Sequence, residues 1–479
     1  MKSNLGKNFI YSFIYEVLIV LTPLVITPYI SRVLGVELVG IRSLTYAILS
    51  YFEIFASLGI AVYGQKEIAR YSNDMQKRSR IFFNLLLIKT IVFLTVLAVY
   101  CTLFFCFNFM PEYKGLWLLW LIHLFEQFFN VTWFFIGIES FKLLAVRGVI
   151  IRILQIVLTF VLVRTQNDFY SYILLYAGTP LLQAISLWPM LFKNVVIVKG
   201  VMQDTVKHFK KIIHYFIPTI ATVIYSNIDK VMISFITNSN ESIGLYDSAQ
   251  SIALLSTTIF SSLFKVMCSR VSNELDKIDI KHKKLFQEIA FFVVSALSFG
   301  IFSLADSFVE VFFGHQYIGA GILLRLFSAM IFIMGISQYI SSTYIVPFGK
   351  QNKVNKYYGI AIVVNIITNS ILIRILGASG AVIGSILAEI AVLYGMLKIY
   401  FQAKGNNFNT QVLFKNIAAG VIMSIVCYVF NLLISHRSIA VLILEAVTGA
   451  IVYIGVLHVL RYSVISNIIC ILKKGERDD

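Results

Sequence analysis

Fourteen apolar segments, each long enough to cross a bilayer, follow one another along this chain, and its basic residues fall on every second connection between them. A spanning helix needs roughly 20 mostly apolar residues. The segments cover 9–31, 38–62, 81–107, 115–138, 145–163, 169–191, 212–237, 244–267, 286–312, 318–346, 355–375, 379–401, 412–434 and 439–460. Backbone groups cannot stay unpaired in lipid, and no segment alternates apolar and polar residues with period two, so the segments are helices and not barrel strands. With 58% hydrophobic and only 13% charged residues, a soluble fold is excluded. The expected fold is an all-α integral membrane protein of 14 transmembrane helices.

Of the 40 Lys and Arg residues, 29 lie in one alternating set or at the segment ends beside it: the N-terminus, the even-numbered connections and the C-terminus. Five lie in the opposite set or at a segment end beside it (Arg32, Lys114, Arg164, Arg374, Arg437) and the other six inside segments (Arg42, Lys89, Arg152, Lys230, Lys265, Arg325). Basic residues are retained on the cytoplasmic side, so both termini are expected to face the cytoplasm. The net charge of +16 is thereby divided among short loops, where it serves topology and attraction to anionic membrane lipids and not nucleic-acid binding. Cys101, Cys106, Cys268, Cys427 and Cys470 have no C-x-x-C spacing, which points to packing and away from a metal or disulfide framework. No cofactor is expected.

No connection exceeds about 20 residues, so no soluble catalytic domain fits on either side and any function belongs to the helices. The stretch 30–48, ISRVLGVELVGIRSLTYAI, is echoed by 236–252, ITNSNESIGLYDSAQSI; each has a turn, a glycine (Gly40, Gly244) and a polar helix start. Segments 5 and 11 match more weakly from Gly148 and Gly359. Copies six crossings apart have the same orientation, which predicts two six-helix lobes related by a parallel repeat with a site between them. The expected divisions are 1–199, 200–405 and 406–479, the last an appendix of two helices. Gly380, Gly384 and Ala388 form a stripe of small residues where another helix can approach closely. Pro23 and Pro28 predict a kinked first helix. Asn130-Val131-Thr132 matches a glycosylation sequon but falls inside a predicted helix.

Polar groups inside a membrane are costly and face a cavity or a partner. Segment 2 carries Ser43, Tyr46, Ser50, Glu53 and Ser57 on one face, and segment 4 carries His123, Glu126, Gln127 and Asn130. Segment 7 carries Ser226 and Asp229 beside Lys230, and segment 8 carries Asp247, Ser251, Thr258, Ser261 and Lys265. Such stripes predict a water-accessible lumen. Lys89 and Lys265 lie toward cytoplasmic ends, where a long side chain can snorkel. Glu53, in mid-segment, must be protonated or paired, which suits a coupling acid; Glu126 with His123 one turn away is a second candidate relay, although the same acids could simply hold helices together. Asp229 is either a coupling acid or a counter-ion to its neighbour. Arg42 and Asp247 start equivalent helices and are candidates for an outer gate. Arg42, Lys230 and Arg325 lie in outer helix parts where topology does not require cations; with Lys265 they suit an anionic, phosphate-bearing cargo.

The run Thr27-Pro28-Tyr29-Ile30-Ser31-Arg32-Val33-Leu34-Gly35, with Gly40, Tyr51-Phe52, Leu58-Gly59 and 63–69 (YGQKEIA), resembles the opening of Wzx-type polysaccharide repeat-unit flippases, of the multidrug/oligosaccharidyl-lipid/polysaccharide exporter superfamily. The stretch 227–233 (NIDKVMI), then Gly244-Leu245-Tyr246 and Ala249, is similar to that family's segment 7–8 signature. The resemblance spans most of 1–400. It implies two six-helix lobes around a cationic cleft and a polyprenyl-diphosphate-linked oligosaccharide cargo, moved between leaflets of a bacterial plasma membrane for capsule, exopolysaccharide or O-antigen synthesis. It also implies work alongside a polysaccharide polymerase and chain-length machinery. Related lipid II flippases are arginine-rich in helix 1, whereas this chain has no basic residue between Lys7 and Arg32. The rival readings are a small-molecule drug antiporter of the same superfamily, which calls for a more acidic, aromatic site, and a membrane polymerase or acyltransferase. A polymerase calls for a large outer loop, and an acyltransferase for an intramembrane His with a partner; His123 is the main candidate.

Overall fold

The long apolar runs leave the backbone no partner but itself, and the described regular structure is helical throughout. The structure is a computed structural model. It describes the backbone of residues 2–198, 204–273, 280–402, 408–434 and 438–462, and the side chains of these except 2–20, 217–218, 221–222 and 280–283. Lys199, Lys277, Lys404, Arg437, Cys470 and the basic C-terminal residues lie outside the described residues.

Segments 1 and 2 form one run, α1 (Lys2–Ser57), interrupted at Gly35, whose φ of 79° and ψ of 172° suit glycine alone. Pro23 and Pro28 lie in helical backbone, so the sharp change of direction falls at Gly35 and not at the prolines. Segment 2 also ends earlier than its hydropathy predicts. Gly59 is left-handed (φ 72°), and a Cβ there would sit 3.1 Å from the Phe216 backbone nitrogen. A separate amphipathic helix, α2 (Ile60–Arg70), follows it, burying Ile60, Tyr63 and Ile68.

Segment 3 is α3 (Met75–Cys101), capped by Asp74, whose carboxylate accepts the Lys77 backbone N–H at 3.0 Å. That bond holds the Asp74 carboxyl below its ordinary range. Segment 4 is broken into α4 (Lys114–Phe129) and α5 (Thr132–Gly137). Then come α6 (Phe141–Leu162), α7 (Phe169–Ile185), the short α8 (Trp188–Leu191) and α9 (Thr205–Thr237). The remaining spans are α10 (Asn240–Asn273), α11 (Ile280–Phe313), α12 (Ala320–Ile340), α13 (Gln351–Leu376), α14 (Ala378–Phe401), α15 (Thr410–Leu433) and α16 (Ile439–Val459).

Among the described residues, 12 stretches of helix are long and apolar enough to cross a membrane. One of them, Leu21–Arg70, holds the first two crossings, and α9, 33 residues long, supplies another. The expected 14 transmembrane helices are therefore present, in a multi-pass membrane protein.

The chain divides into two compact units, Met1–Val231 and Met232–Asp479. The division falls within α9 because its first half is tied to the first unit: Thr205 donates to Asn84 at 2.7 Å, Tyr63 is 2.7 Å from His208, and Phe55 packs on Phe216. In the second unit the stripe of small residues works as expected. A Cβ on Gly380 would strike the Leu372 carbonyl and one on Gly384 the Asn369 amide oxygen, so α14 lies directly on α13. The last two helices cluster with the second unit, and the Tyr453 hydroxyl bonds both Asn416 (2.8 Å) and the Phe292 carbonyl of α11 (3.1 Å).

Candidate functional site in the first unit

The polar stripes of segments 2 and 4 meet each other inside the first unit. Trp120 of α4 donates its indole N–H to Thr45 of α1 at 3.0 Å. Tyr46 of α1 lies against the rings of Trp120, His123 and Tyr176 of α7, with centroids 5.6 to 5.7 Å apart. One turn further along α4, His123 Nδ1 comes within 2.6 Å of Glu53 Oε1, both groups buried. The approach is an ion-pair contact without hydrogen-bond alignment. The candidate relay residues Glu53, His123 and Glu126 are thus brought together.

Glu126 faces the break in segment 4. Its Oε1 accepts the Asn130 side-chain N–H at 2.7 Å, and its Oε2 accepts from Gln127 at 2.8 Å. Asn130 is extended (φ −68°, ψ 110°), and its side-chain oxygen accepts the Thr132 backbone N–H at 3.0 Å, starting α5. The sequon therefore lies at a helix break and not in a helix interior. The break is made by an asparagine satisfying the backbone in place of the helical ladder. Two side chains from other helices cover the exposed end of α4: Trp188 donates to the Phe129 carbonyl at 2.9 Å, and Lys89 to the Asn130 carbonyl at 2.7 Å.

Lys89 corrects an expectation. It does not snorkel, since it is 5% exposed and fixed to a carbonyl. Fourteen residues separate it from the start of α3, a rise of ~21 Å at 1.5 Å per residue.

The expected cargo-binding cations separate into different surroundings. In the first unit Arg42 donates to the Tyr172 hydroxyl at 3.2 Å and lies over the Tyr176 ring at 5.7 Å, joining the aromatic layer above His123. Lys230 and Asp229, adjacent on α9, are both buried. In the second unit Lys265 of α10 is exposed and Asp247 is partly buried. Arg325 of α12 is ion-paired to Asp306 of α11, with both side chains about one-third exposed (38% and 32%). Asp306 went unnoticed in the sequence because it belongs to no polar stripe, although it is an acid near the end of segment 9, opposite a cation near the start of segment 10. The expected gate partners Arg42 and Asp247 belong to different units. Among the described residues no cluster of three or more His, Cys, Asp or Glu is arranged to hold a metal ion.

The family model described as "Polysaccharide biosynthesis protein" matches residues 5–272. The chain is 22% identical over 405 residues to a "Putative O-antigen transporter" of Shigella dysenteriae, covering 82% of this chain and 99% of that protein. It is 27% identical over 266 residues to a protein of the same description from Escherichia coli (strain K12), covering 52% and 61%. Among solved structures, the lipid II flippase MurJ in an inward closed conformation is similar with a TM-score of 0.71 at 19% identity, over 96% of this chain and 99% of that one. An inward-facing multidrug MATE transporter of the MOP superfamily follows with a TM-score of 0.59 at 16% identity, over 80% and 94%. The fold is thus the one shared by these membrane transporters, and the chain belongs to the polysaccharide biosynthesis protein family.

Proposed function

We propose that the chain is a flippase that carries polyprenyl-diphosphate-linked oligosaccharide repeat units from the inner to the outer leaflet of a bacterial plasma membrane. The single observation that carries this reading is the full-length likeness to an O-antigen transporter, covering 99% of that relative, within a polysaccharide biosynthesis family. A lipid-linked sugar cannot flip unaided, because its hydroxyls and diphosphate lose hydration in hydrocarbon. Alternating access between two lobes, which we read as residues 1–199 and 200–405, lets the head cross while the tail stays in lipid. We assign the head to Arg42, Lys230, Lys265 and Arg325, and ion coupling or gating to Glu53, His123, Glu126, Asp229 and Asp247. Both termini are cytoplasmic in this reading, and a polymerase with its chain-length machinery takes up the product. The chain acts as a transporter and not an enzyme.

A drug antiporter of the same fold is the second reading, favoured by the MATE likeness and by the aromatic layer of Tyr46, Trp120, Tyr172 and Tyr176. A clean deletion in a host without a redundant flippase separates the two. Accumulation of lipid-linked repeat units on the cytoplasmic face is expected; normal outer-leaflet delivery would overturn the flippase assignment.

A further inference from the structure

One sector of α10 is polar where the span is otherwise built for hydrocarbon. Thr258, Ser261, Ser262 and Lys265 recur at three and four residues and share one face over ~10 Å of helix. Thr258, Ser262 and Lys265 are exposed and Ser261 is partly so. Ile259 and Val266 are also exposed (57% and 68%), but each lies ~100° further round the helix, on a face suited to lipid. Exposed polar groups within a span face a cavity and not lipid. The sector continues onto α12. Ser261 donates its hydroxyl to Gln338 Oε1 at 3.0 Å, and Gln338 is only partly buried. The Gln338 carbonyl accepts the Ser342 hydroxyl at 2.7 Å, where the helix widens into a π-turn over Ser341–Ile345. Such π-turns are frequent at functional sites. Side chain and backbone of Gln338 are thus both held in place.

We propose that this sector of the second unit is a sugar subsite and that Gln338 is its specificity-determining residue. The inference rests on the flippase reading and deepens it by dividing the head between two kinds of contact. Lys265 meets the diphosphate, whose oxygens accept charge-assisted hydrogen bonds. The sugar next to the diphosphate meets the hydroxyls and the amide. The Thr258 hydroxyl donates to the Leu255 carbonyl at 2.6 Å, and the Ser262 hydroxyl to the Thr258 carbonyl at 3.1 Å. Their hydrogens are committed to the helix, so toward a ligand these oxygens act as acceptors, suited to sugar O–H donors. Gln338 supplies the opposite. Its Oε1 is taken by Ser261, and what its amide offers a ligand is the pair of N–H donors on Nε2, suited to a ring hydroxyl oxygen or an acetamido carbonyl. A site built to hydrogen-bond a polar substituent rejects a sugar that lacks it, because the site's own groups then go unpaired. Selectivity for the first sugar therefore falls on Gln338, whereas Lys265 treats all diphosphate-linked heads alike.

The test is equilibrium binding, to the purified full-length protein, of undecaprenyl diphosphate either bare or carrying one hexose, one deoxyhexose or one N-acetylhexosamine. The wild type is expected to bind at least one sugar-bearing lipid about tenfold more tightly than the bare one, as one or two added hydrogen bonds provide. Gln338→Leu, close in size but without an amide, is expected to bring that ratio close to one. Lys265→Met is expected to weaken bare and sugar-bearing lipids by the same factor and to keep the wild-type ratio. A Gln338→Leu that keeps the wild-type ratio overturns the proposal, as does a Lys265→Met that weakens the sugar-bearing lipids alone or binds all four as the wild type does. Should Gln338→Leu fail to fold, the double variant Thr258→Val, Ser262→Ala, changed only at exposed positions, decides: a reduced ratio supports the subsite and a wild-type ratio overturns it. A wild type that binds bare and sugar-bearing lipids equally removes the subsite and leaves the flippase reading standing. A wild type that binds none of the four lipids removes the flippase reading and the subsite with it.

Discussion

The guanidinium of Arg325 is ion-paired to the carboxylate of Asp306 on the neighbouring helix, and Gly321 is what lets the acid lie there. A Cβ at position 321 would strike the Asp306 carboxylate oxygen. Arg325 was singled out in the sequence as a cation for an anionic head, but in the structure its charge is already balanced. With both side chains about one-third exposed (38% and 32%), the pair is worth roughly 0–1 kcal/mol to folding. Its larger consequence is for ligand charge. Asp306→Asn is expected to leave thermal stability close to wild type and to lower the inorganic pyrophosphate concentration that half-inhibits transport by about fivefold, the equivalent of ~1 kcal/mol. Arg325→Ala is expected to raise that concentration by a similar factor. Identical inhibition curves in wild type and both variants would remove Arg325 from the head-binding set.

In the first unit, the Tyr63 hydroxyl lies 2.7 Å from His208 Nδ1, fastening amphipathic α2 to the start of α9. Burial pushes His208 below its ordinary value, against the opposing pull of Glu67 and Asp204. The docked state therefore disfavours the proton. As pH falls below the ordinary histidine range near ~6.5, the undocked state takes up protons first and docking weakens; above that range docking is fully retained. Hydrogen exchange across residues 60–70 is expected to accelerate between pH 7 and pH 5.5 in the wild type and to lose that pH dependence in His208→Gln. Tyr63→Phe is expected to accelerate exchange by about fivefold at neutral pH, for a bond worth ~1 kcal/mol.

The membrane helices were legible because each is an apolar run bounded by charge, and hydrocarbon leaves such a run one conformation. The breaks were less so. Gly35 and Gly59 turn the chain through backbone angles that only a glycine-specific reading of the sequence would single out. The break at Asn130 has no Gly or Pro nearby; its cause is a side chain replacing the helical ladder, and asparagines within helices usually do not do that. Glu53 and His123 were each legible as a polar group on the polar stripe of its own segment, but their pairing across two helices was not. Lys89 was not legible as an anchored group, because its acceptor is a backbone carbonyl and carries no side-chain signature. Its place in the first half of segment 3 fits snorkelling equally well until the third dimension brings α4 beside it.

In the second unit the α13–α14 contact depends on residues without side chains. Gly384 leaves space that the Asn369 amide oxygen occupies, and beside it Asn365 donates to Ser385 at 3.1 Å while Asn369 donates to Asn365 at 3.2 Å. Gly384→Val would drive two methyl groups into this polar seam. Overpacking of about 1–3 kcal/mol is expected, together with loss of hydrogen bonds that have no water to replace them. A clear drop in melting temperature in detergent should follow. Gly455→Val on α16, where no atom lies within 4 Å of the added Cβ, serves as the matched control and is expected to melt like wild type.

The final pair of helices is joined to α11 through a carboxylate that escaped notice in the sequence. Glu445 of α16 is fully buried (0% exposed) and accepts the side-chain N–H of Asn431 on α15; the Asn431 carbonyl oxygen in turn accepts the Ser307 hydroxyl of α11 at 3.2 Å. Three helices are thus linked through one amide. If that linkage holds the helices together, the acceptor matters more than the charge. Glu445→Gln keeps an oxygen for Asn431 and is expected to melt close to wild type, whereas Glu445→Leu removes the acceptor of a part-buried N–H at a cost of about 1 kcal/mol. A cysteine pair engineered between α11 and α15 should crosslink more slowly in Glu445→Leu than in Glu445→Gln. Equal melting and equal crosslinking in the two variants would mean that apolar packing alone docks the final helices; a loss in Glu445→Gln as large as in Glu445→Leu would mean that the negative charge itself is required.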